Sequence, residues 1–224
     1  MTNPQTQNLL LLDVDGTLID SFPGIVQSFL HALDDVSWPA PPDEVIGRIA
    51  GPPMEETLRS LGMDAELVPV AFHRYLHHYG QSGWRNARAY PGAVDFLTWA
   101  HEEGIVVATA TSKGEGFART ALTEFGLIGG IDVLAAAQEN GPRRTKRQVL
   151  DYAREQLTEK GVWGGPMALV GDRIHDVDGA LYAGATAIAA TWGYGFCEEW
   201  AEADYQAANF DEVKEILRAR VFHL

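Results

Sequence analysis

Short apolar runs recur along the chain, and each one ends in small or polar residues. Their residues are continuously apolar rather than alternating, which predicts strands buried on both faces of a parallel sheet. The runs are LLLLDV (9–14), IVVATAT (105–111), IDVLAAA (131–137), MALVGD (167–172) and ATAIAATW (185–192).

Segments whose apolar residues have helical spacing separate most of these runs. One covers 93–103 and ends before Gly104, another ends before Gly126, and a third ends before Gly161. Glycine at these positions is typical of a helix C-terminus. Strands that alternate with helices predict an α/β fold, here a Rossmann-like doubly wound parallel sheet.

The chain between the first two runs is much longer than one crossover helix requires. It contains three segments with helical spacing of apolar residues, at 25–33, 54–61 and 65–79. We therefore predict an α-helical cap domain at 21–88, inserted after the first strand. The α/β core is then discontinuous and consists of residues 1–20 and 89–224.

Composition narrows the classes of partner. The 224 residues carry a formal net charge of -14, with 46% hydrophobic and 21% charged residues, as in an ordinary globular protein. Such an acidic chain is not expected to bind nucleic acid or an anionic membrane, although a pocket can still bind a small phosphorylated ligand. A single cysteine, and no apolar run approaching the roughly 20 residues of a membrane span, indicate a cytoplasmic protein. A monomer or a homodimer is expected.

Acidic residues follow two of the predicted strands directly. Asp13 and Asp15 end the first run, Asp172 ends the fourth, and Asp176 follows shortly after. Because ligands of such sheets gather at the carboxyl ends of the strands, these carboxylates should meet at one edge. They would repel one another unless a cation joined them, and their hard oxygen ligands favour Mg²⁺ over zinc.

Two lysines compete for a cationic role at the same edge. Lys113 lies two residues after Thr111, whereas Lys146 begins a predicted helix. A lysine at that helical position opposes the helix dipole by about 0.3–1 kcal/mol, a cost that a bound anion would offset. We therefore favour Lys146. Separately, the motifs have plain structural interpretations as an Asp-Gly turn and a helix N-cap.

Four of these features together resemble a known family. DVDGT (13–17), Thr111, Lys146 and GDRIHD (171–176) are similar to the signature motifs of haloacid dehalogenase superfamily phosphatases. The insert resembles the helical cap of the subclass that includes phosphoglycolate phosphatases and β-phosphoglucomutases. Within it, IAGPPMEETL (49–58) is similar to a segment of phosphoglycolate-phosphatase-like and 5′-nucleotidase-like members.

The resemblance implies a role for each acidic residue. Asp13 would attack phosphorus and form an aspartyl-phosphate, and Asp15 would protonate the leaving alcohol and later activate water. Mg²⁺ would be bound by Asp13, by the backbone carbonyl of Asp15 and by Asp172. Asp176 would support the metal's water shell or orient Lys146.

The resemblance also implies which residues bind the substrate. The expected phosphate-binding residues are Thr111, Ser112, Lys146 and Gly16. The expected specificity residues of the cap are Arg48, Pro52, Pro53 and Met54.

These features predict a Mg²⁺-dependent phosphatase that hydrolyses a small-molecule phosphate monoester, similar to phosphoglycolate phosphatase. A dehalogenase has no need of an acid such as Asp15. A β-phosphoglucomutase-like phosphomutase and a non-catalytic phospholigand-binding module stay open, although the latter would be expected to lack Asp13 or Asp15. The substrate is open among phosphoglycolate, a nucleotide, a sugar phosphate and a specialised metabolite.

Overall fold

The structure is a computed structural model that describes residues 7–224, with strands and helices alternating along most of the chain. The strands are β1 (Leu9–Leu12), β2 (Ile19–Asp20), β3 (Arg88–Ala89), β4 (Val106–Thr109), β5 (Thr111–Gly114), β6 (Ala136–Ala137), β7 (Met167–Gly171), β8 (Thr186–Ala190) and β9 (Tyr205–Ala207). The helices are α1 (Phe22–Asp35), α2 (Asp43–Ile46), α3 (Met54–Ser60), α4 (Leu67–Gln81), α5 (Ala93–Glu102), α6 (Glu115–Glu124), α7 (Lys146–Glu159), α8 (Ile174–Ala183) and α9 (Phe210–Ile216). The expectation for residues 1–6, which begin the predicted core range 1–20, lies outside the described residues.

Five parallel strands form the central sheet, in the order β4-β1-β7-β8-β9. The four leucines of β1 are fully buried. Because side chains alternate along a strand, Leu10 and Leu12 pack on one face of the sheet together with Phe96 and Phe210 of α5 and α9. The other two leucines of β1 pack on the opposite face, where α7 and α8 lie. Helices therefore cover both faces, which confirms the predicted doubly wound α/β class.

Three details of the sheet differ from the sequence-based prediction. The run at 105–111 is divided, since β4 ends at Thr109 and β5 pairs with β6 instead. The run at 131–137 is a strand only at its end. At the beginning of the run, the carboxylate of Asp132 rather than a backbone carbonyl accepts a hydrogen bond from the Val107 backbone N–H. The third difference is β9, which is too short and too polar to stand out as an apolar run.

The inserted segment is helical, and its helices α1, α3 and α4 confirm the three predicted helical stretches. They surround a separate apolar cluster that includes Phe29, Leu33 and Leu58. The chain enters the insert through β2 and leaves it through β3, and these two strands pair antiparallel. The assignment of 21–88 as a cap domain stays a prediction, and the insert is called the cap below.

Within residues 7–224, none of the helices combines the length and the apolarity that crossing a bilayer would require.

Candidate active site

The carboxyl ends of three neighbouring strands bring polar residues to one edge of the sheet. Asp13 directly follows β1, and its backbone N–H donates to the carbonyl of Val170 in β7 at 3.0 Å. Asp172 directly follows β7, and Thr111 lies just beyond the end of β4. All three side chains are buried. The strands thus bring residues from distant parts of the chain into one site.

Three carboxylates at this edge lie close enough to share one cation. Asp13, Asp172 and Asp176 each offer an oxygen, and these oxygens lie within 4.8 Å of one another. One oxygen of Asp172, Oδ2, accepts a hydrogen bond from the Tyr194 backbone N–H at 2.7 Å. The other, Oδ1, is buried and has no hydrogen-bond partner. Burial of a carboxylate oxygen without a partner costs free energy unless a cation binds it.

Burial and neighbouring charge change the protonation of this cluster. Desolvation raises the pKa of Asp13 to about 6, against the opposing attraction of the Lys146 ammonium. Desolvation, together with the charges of Asp176 and Asp13, raises the pKa of Asp172 well above its usual range. Both shifts have the sign expected for carboxylates that are buried close to one another.

Lys146 supplies one positive charge to the cluster. It is the first residue of α7, after the N-cap Thr145, whose side chain forms a capping box with Gln148. Its ammonium lies 3.0 Å from Asp13 Oδ1 and 2.6 Å from Asp176 Oδ1. Burial alone would lower the pKa of Lys146, but these two carboxylates outweigh it and raise the pKa above its usual value. Lys146 is therefore charged and holds two of the acids together.

Lys113 takes a separate place, next to Asp15. Its ammonium lies 2.9 Å from Oδ1 and 3.1 Å from Oδ2 of Asp15, and it donates to the Tyr79 hydroxyl at 2.5 Å. Sequence reasoning considered Lys113 only as a substitute for Lys146. The two-residue spacing between Thr111 and Lys113, already noted in the sequence, places both side chains on the same face of β5. The pairing of Lys113 with Asp15 was not predicted.

The site has an excess of negative charge that a divalent cation could balance. The carboxylates of Asp13, Asp15, Asp172 and Asp176 face the ammonium groups of Lys113 and Lys146. Two negative charges are therefore unbalanced among these groups. Together with the unpartnered Oδ1 of Asp172, this charge shows that the residues fit a hard divalent cation. The carboxylate of Asp15 faces Lys113, so Asp176 supplies the third carboxylate of the cluster.

Gly16 allows Asp172 to approach the turn that follows Asp15. Its φ of +82° lies in the left-handed region, and a Cβ atom at this position would lie 2.3 Å from Asp172 Oδ2. A side chain here would therefore strain the backbone and displace the carboxylate. The turn requires glycine for both reasons.

A cavity of about 90 Å³ lies between this edge of the core and the cap. The sequence-predicted residues that line it are Asp13, Asp15, Thr111, Ser112, Pro52, Pro53 and Met54. Arg48 is not among the lining residues. Its guanidinium lies 3.2 Å from Glu198 and over the ring of Phe196, so it connects the cap to a loop of the core.

Tyr194 connects the carboxylate cluster to the segment where the chain enters the cap. Its backbone N–H binds Asp172, and its hydroxyl accepts a hydrogen bond from the Ser21 backbone N–H at 2.6 Å. The hydroxyl of Ser21 in turn donates to Asp15 Oδ1 at 2.6 Å. The sequence gives no indication of these contacts, because Tyr194 lies 173 positions after Ser21.

Known proteins are similar to this chain in sequence and in fold. A family model described as haloacid dehalogenase-like hydrolase matches residues 10–190. The chain is 37% identical over 217 residues to the tyrosine-protein kinase PtkA of Mycobacterium tuberculosis, covering 95% of this chain and 73% of PtkA. It is 28% identical over 225 residues to a phosphoglycolate phosphatase of Aliivibrio fischeri, covering 93% of this chain and 94% of that protein.

A solved structure confirms the likeness in three dimensions. The crystal structure of a predicted phosphatase from Clostridium acetobutylicum superposes with a TM-score of 0.86 at 29% identity, covering 95% of this chain and 99% of that one. The match to the family model spans most of the chain and contains all four expected motifs. The chain therefore belongs to the haloacid dehalogenase-like hydrolases and is an enzyme of the phosphatase class of that family.

Proposed function

We propose that the protein is a Mg²⁺-dependent phosphatase that hydrolyses a small phosphate monoester through an aspartyl-phosphate on Asp13. The observation that carries this proposal is the buried cluster of Asp13, Asp172 and Asp176 around Lys146, with one oxygen of Asp172 left without a partner. A structural ion pair would satisfy all of its oxygens. This cluster leaves oxygen ligands and negative charge for a metal.

Asp13 is the proposed nucleophile. Its carboxylate lines the cavity and is held from one side by the Lys146 ammonium. Attack on phosphorus forms a bond from an Asp13 oxygen and breaks the bond to the leaving alcohol, which divides hydrolysis into two displacements. Thr111 and Ser112 line the same end of the cavity and would bind phosphoryl oxygens.

Asp15 is the proposed acid–base residue. Its carboxylate also lines the cavity and is oriented by Ser21 and Lys113. In the first displacement it would give a proton to the leaving oxygen, and in the second it would take a proton from water. The two contacts fix its position relative to Asp13.

Asp13, Asp172 and Asp176, directly or through water, would hold the Mg²⁺, together with the backbone carbonyl of Asp15. When bound, the metal would neutralise the charge of the phosphoryl oxygens and of the carboxylates around them. Lys146 contributes a fixed positive charge on the side of Asp13. Charge neutralisation and positioning account for most of the catalysis in phosphoryl transfer.

Transfer to an acceptor other than water is the alternative. A β-phosphoglucomutase-like reaction, or a protein kinase reaction of the kind named for PtkA, could use the same aspartyl-phosphate. The match to a family of hydrolases, and the similarity to a phosphoglycolate phosphatase over 93% of this chain, support water as the acceptor. Hydrolysis is therefore the better supported outcome.

The test is phosphate release from a panel of monoesters with Mg²⁺ and with EDTA. We expect release only with the metal, and its loss in the Asp13→Asn variant. Turnover that survives Asp13→Asn would exclude Asp13 as nucleophile. Isomerised sugar phosphate formed without phosphate release would establish the mutase, and binding without turnover of any monoester would establish a binding module.

A further inference from the structure

The cap side of the cavity has an aromatic wall, which we define as Phe72, Tyr75 and Tyr79 of α4 together with Phe117 of α6. The rings of Tyr75 and Tyr79 stack with centroids 5.7 Å apart, and Tyr79 meets Phe117 edge to face at 5.1 Å. This wall lines the same cavity as Asp13 and Thr111, so a leaving group that fills the cavity would contact it. A wall of this kind favours an apolar group over a hydrated one.

Arg144 is one of two cationic side chains that line the cavity, and its charge is already paired. Its Nη2 atom lies 2.6 Å and 2.7 Å from the two carboxylate oxygens of Glu55 in the cap. Its Nη1 atom donates to the backbone carbonyls of Gln138 and Glu139. A bidentate carboxylate and two carbonyls together occupy four of the five N–H donors of a guanidinium.

Lys113 is the other cationic side chain of the cavity. Its ammonium contacts both carboxylate oxygens of Asp15 and the hydroxyl of Tyr79, which accounts for the three donors of an ammonium. Among residues 7–224, each cation that lines the cavity is therefore paired with a carboxylate. Glu139 also lines the cavity, and its carboxylate, which accepts hydrogen bonds from the backbone N–H groups of Gly116 and Phe117, adds negative charge there.

A second anionic group on the substrate would be poorly accommodated here. The carboxylate of phosphoglycolate, or a second phosphate, would lose its hydration and would meet Glu139 and two cations that are already paired with carboxylates. An uncharged ring would instead replace water on the aromatic wall. The chemistry of the cavity thus selects against charge and for apolar surface.

We propose that the substrate is the phosphate monoester of an uncharged alcohol that carries an aromatic or similarly flat apolar group. This inference rests on the proposed phosphatase function and specifies its leaving group. Glu55 is then a specificity-determining residue, because its pairing with Arg144 removes the cation that would bind a substrate carboxylate.

Four substrates separate the effect of an aromatic ring from the effect of an added carboxylate. Ethyl phosphate and 2-phosphoglycolate are small, and they differ by a carboxylate. Benzyl phosphate and 4-carboxybenzyl phosphate carry a ring and differ by the same group, while the reacting centre is a primary alcohol ester in all four. We expect kcat/KM for benzyl phosphate to exceed that for ethyl phosphate at least tenfold, from burial of the ring. We expect the added carboxylate of 2-phosphoglycolate and of 4-carboxybenzyl phosphate to lower kcat/KM at least tenfold relative to the matching uncharged ester.

The Glu55→Gln variant tests the reason for the charge preference. It keeps the size of the side chain but leaves Arg144 with an unpaired charge. The ratio of kcat/KM for 4-carboxybenzyl phosphate to that for benzyl phosphate should rise at least tenfold. The Glu56→Gln variant is the matched control, since Glu56 is its exposed neighbour on α3 and does not line the cavity.

The outcomes separate this inference from the function on which it rests. Equal or faster turnover of 2-phosphoglycolate relative to ethyl and benzyl phosphates would overturn the substrate class while supporting the phosphatase. An unchanged ratio in Glu55→Gln would overturn the role of the Glu55–Arg144 pair. Absence of phosphate release from all four esters and from a wider panel would instead contradict the proposed function.

Discussion

The ammonium of Lys113 lies 2.9 Å from Oδ1 of Asp15, in a contact that spans the edge of the sheet. The same ammonium contacts the hydroxyl of Tyr79, a residue of the cap. Lys113 therefore joins the proposed acid–base residue to the cap. Together with Ser21, it is one of two side chains that orient Asp15.

Removal of Lys113 should impair the proton transfer more than the attack on phosphorus. In Lys113→Met, we expect kcat for benzyl phosphate to fall by about 10²-fold, within the range typical of general acid–base catalysis. The loss should be smaller for 4-nitrophenyl phosphate, because nitrophenolate leaves without a proton. Steady-state kinetics on both substrates, with the wild type and the variant, measure the difference.

The Lys160→Met variant controls for the loss of one positive charge, since Lys160 is exposed at the end of α7. Equal losses on the two substrates would show that Lys113 has only a structural role.

The pairing of Lys146 with Asp13 and Asp176 should govern the stability of the metal-free protein. Lys146→Met leaves these buried carboxylates without their cation, and such a change costs about 3–5 kcal/mol. Mg²⁺ should restore part of the loss, because it brings positive charge back to the cluster. Denaturant unfolding with EDTA and with Mg²⁺ provides the measurement.

Arg147→Met is the matched control, as the next residue is exposed and changes of this kind usually stay within about 0.5 kcal/mol. A Lys146→Met protein as stable as the wild type in EDTA would contradict the account.

The raised pKa of Asp13 predicts the pH dependence of metal binding. Desolvation raises this pKa to about 6, so the carboxyl group of the metal-free protein takes up a proton as the pH falls through that value. A proton on Asp13 competes with Mg²⁺. The apparent affinity should therefore decrease progressively as the pH falls below about 6. Calorimetric titration at several pH values measures it, and constant affinity down to about pH 5 would argue against this assignment.

Gly16 should be required for two reasons, its backbone conformation and its closeness to Asp172, and a comparison with Gly62 separates the two. In Gly16→Ala, the new Cβ would lie 2.3 Å from Asp172 Oδ2, at a φ of +82°. Gly62, in the α3–α4 loop, has a similar φ of +77°, but a Cβ atom added there would have nothing within 4 Å. Both alanine variants should lose about 1–2 kcal/mol of stability from backbone strain.

Only Gly16→Ala should also lose Mg²⁺ binding, because only there does the side chain displace a carboxylate. Equal Mg²⁺ affinities in the two variants, measured calorimetrically, would show that Asp172 does not bind the metal.

The sequence predicts the layers of the fold well because burial on both faces leaves a simple pattern. The four leucines of β1 have apolar neighbours on each side, and the acids beyond them stand out by contrast. The strand β9 escapes detection, since its three residues are held by pairing with β8 rather than by their own hydrophobicity. Local pattern identifies elements that are stabilised by burial and misses those stabilised by a neighbour.

The candidate site likewise contains residues whose placement the sequence predicts and pairings that it does not predict. The placement of Asp13, Asp172 and Lys146 follows from strand ends and from one helix start, which are readable in the chain. The pairings Lys113–Asp15 and Arg144–Glu55 join segments that are far apart in sequence, and the second also depends on how the cap packs on the core. Arg48 shows the same limit, because its position outside the cavity is decided by contact with Glu198.

The central claim is that Asp13 carries the phosphoryl group during turnover. Rapid acid quench of the Mg²⁺-loaded enzyme with benzyl phosphate, followed by peptide mass spectrometry, tests it directly. The account predicts one added phosphoryl group on the peptide that contains Asp13, which disappears as substrate is exhausted and is absent in Asp13→Asn. Steady phosphate release with that peptide unmodified, or with the phosphoryl group on another residue, would contradict it.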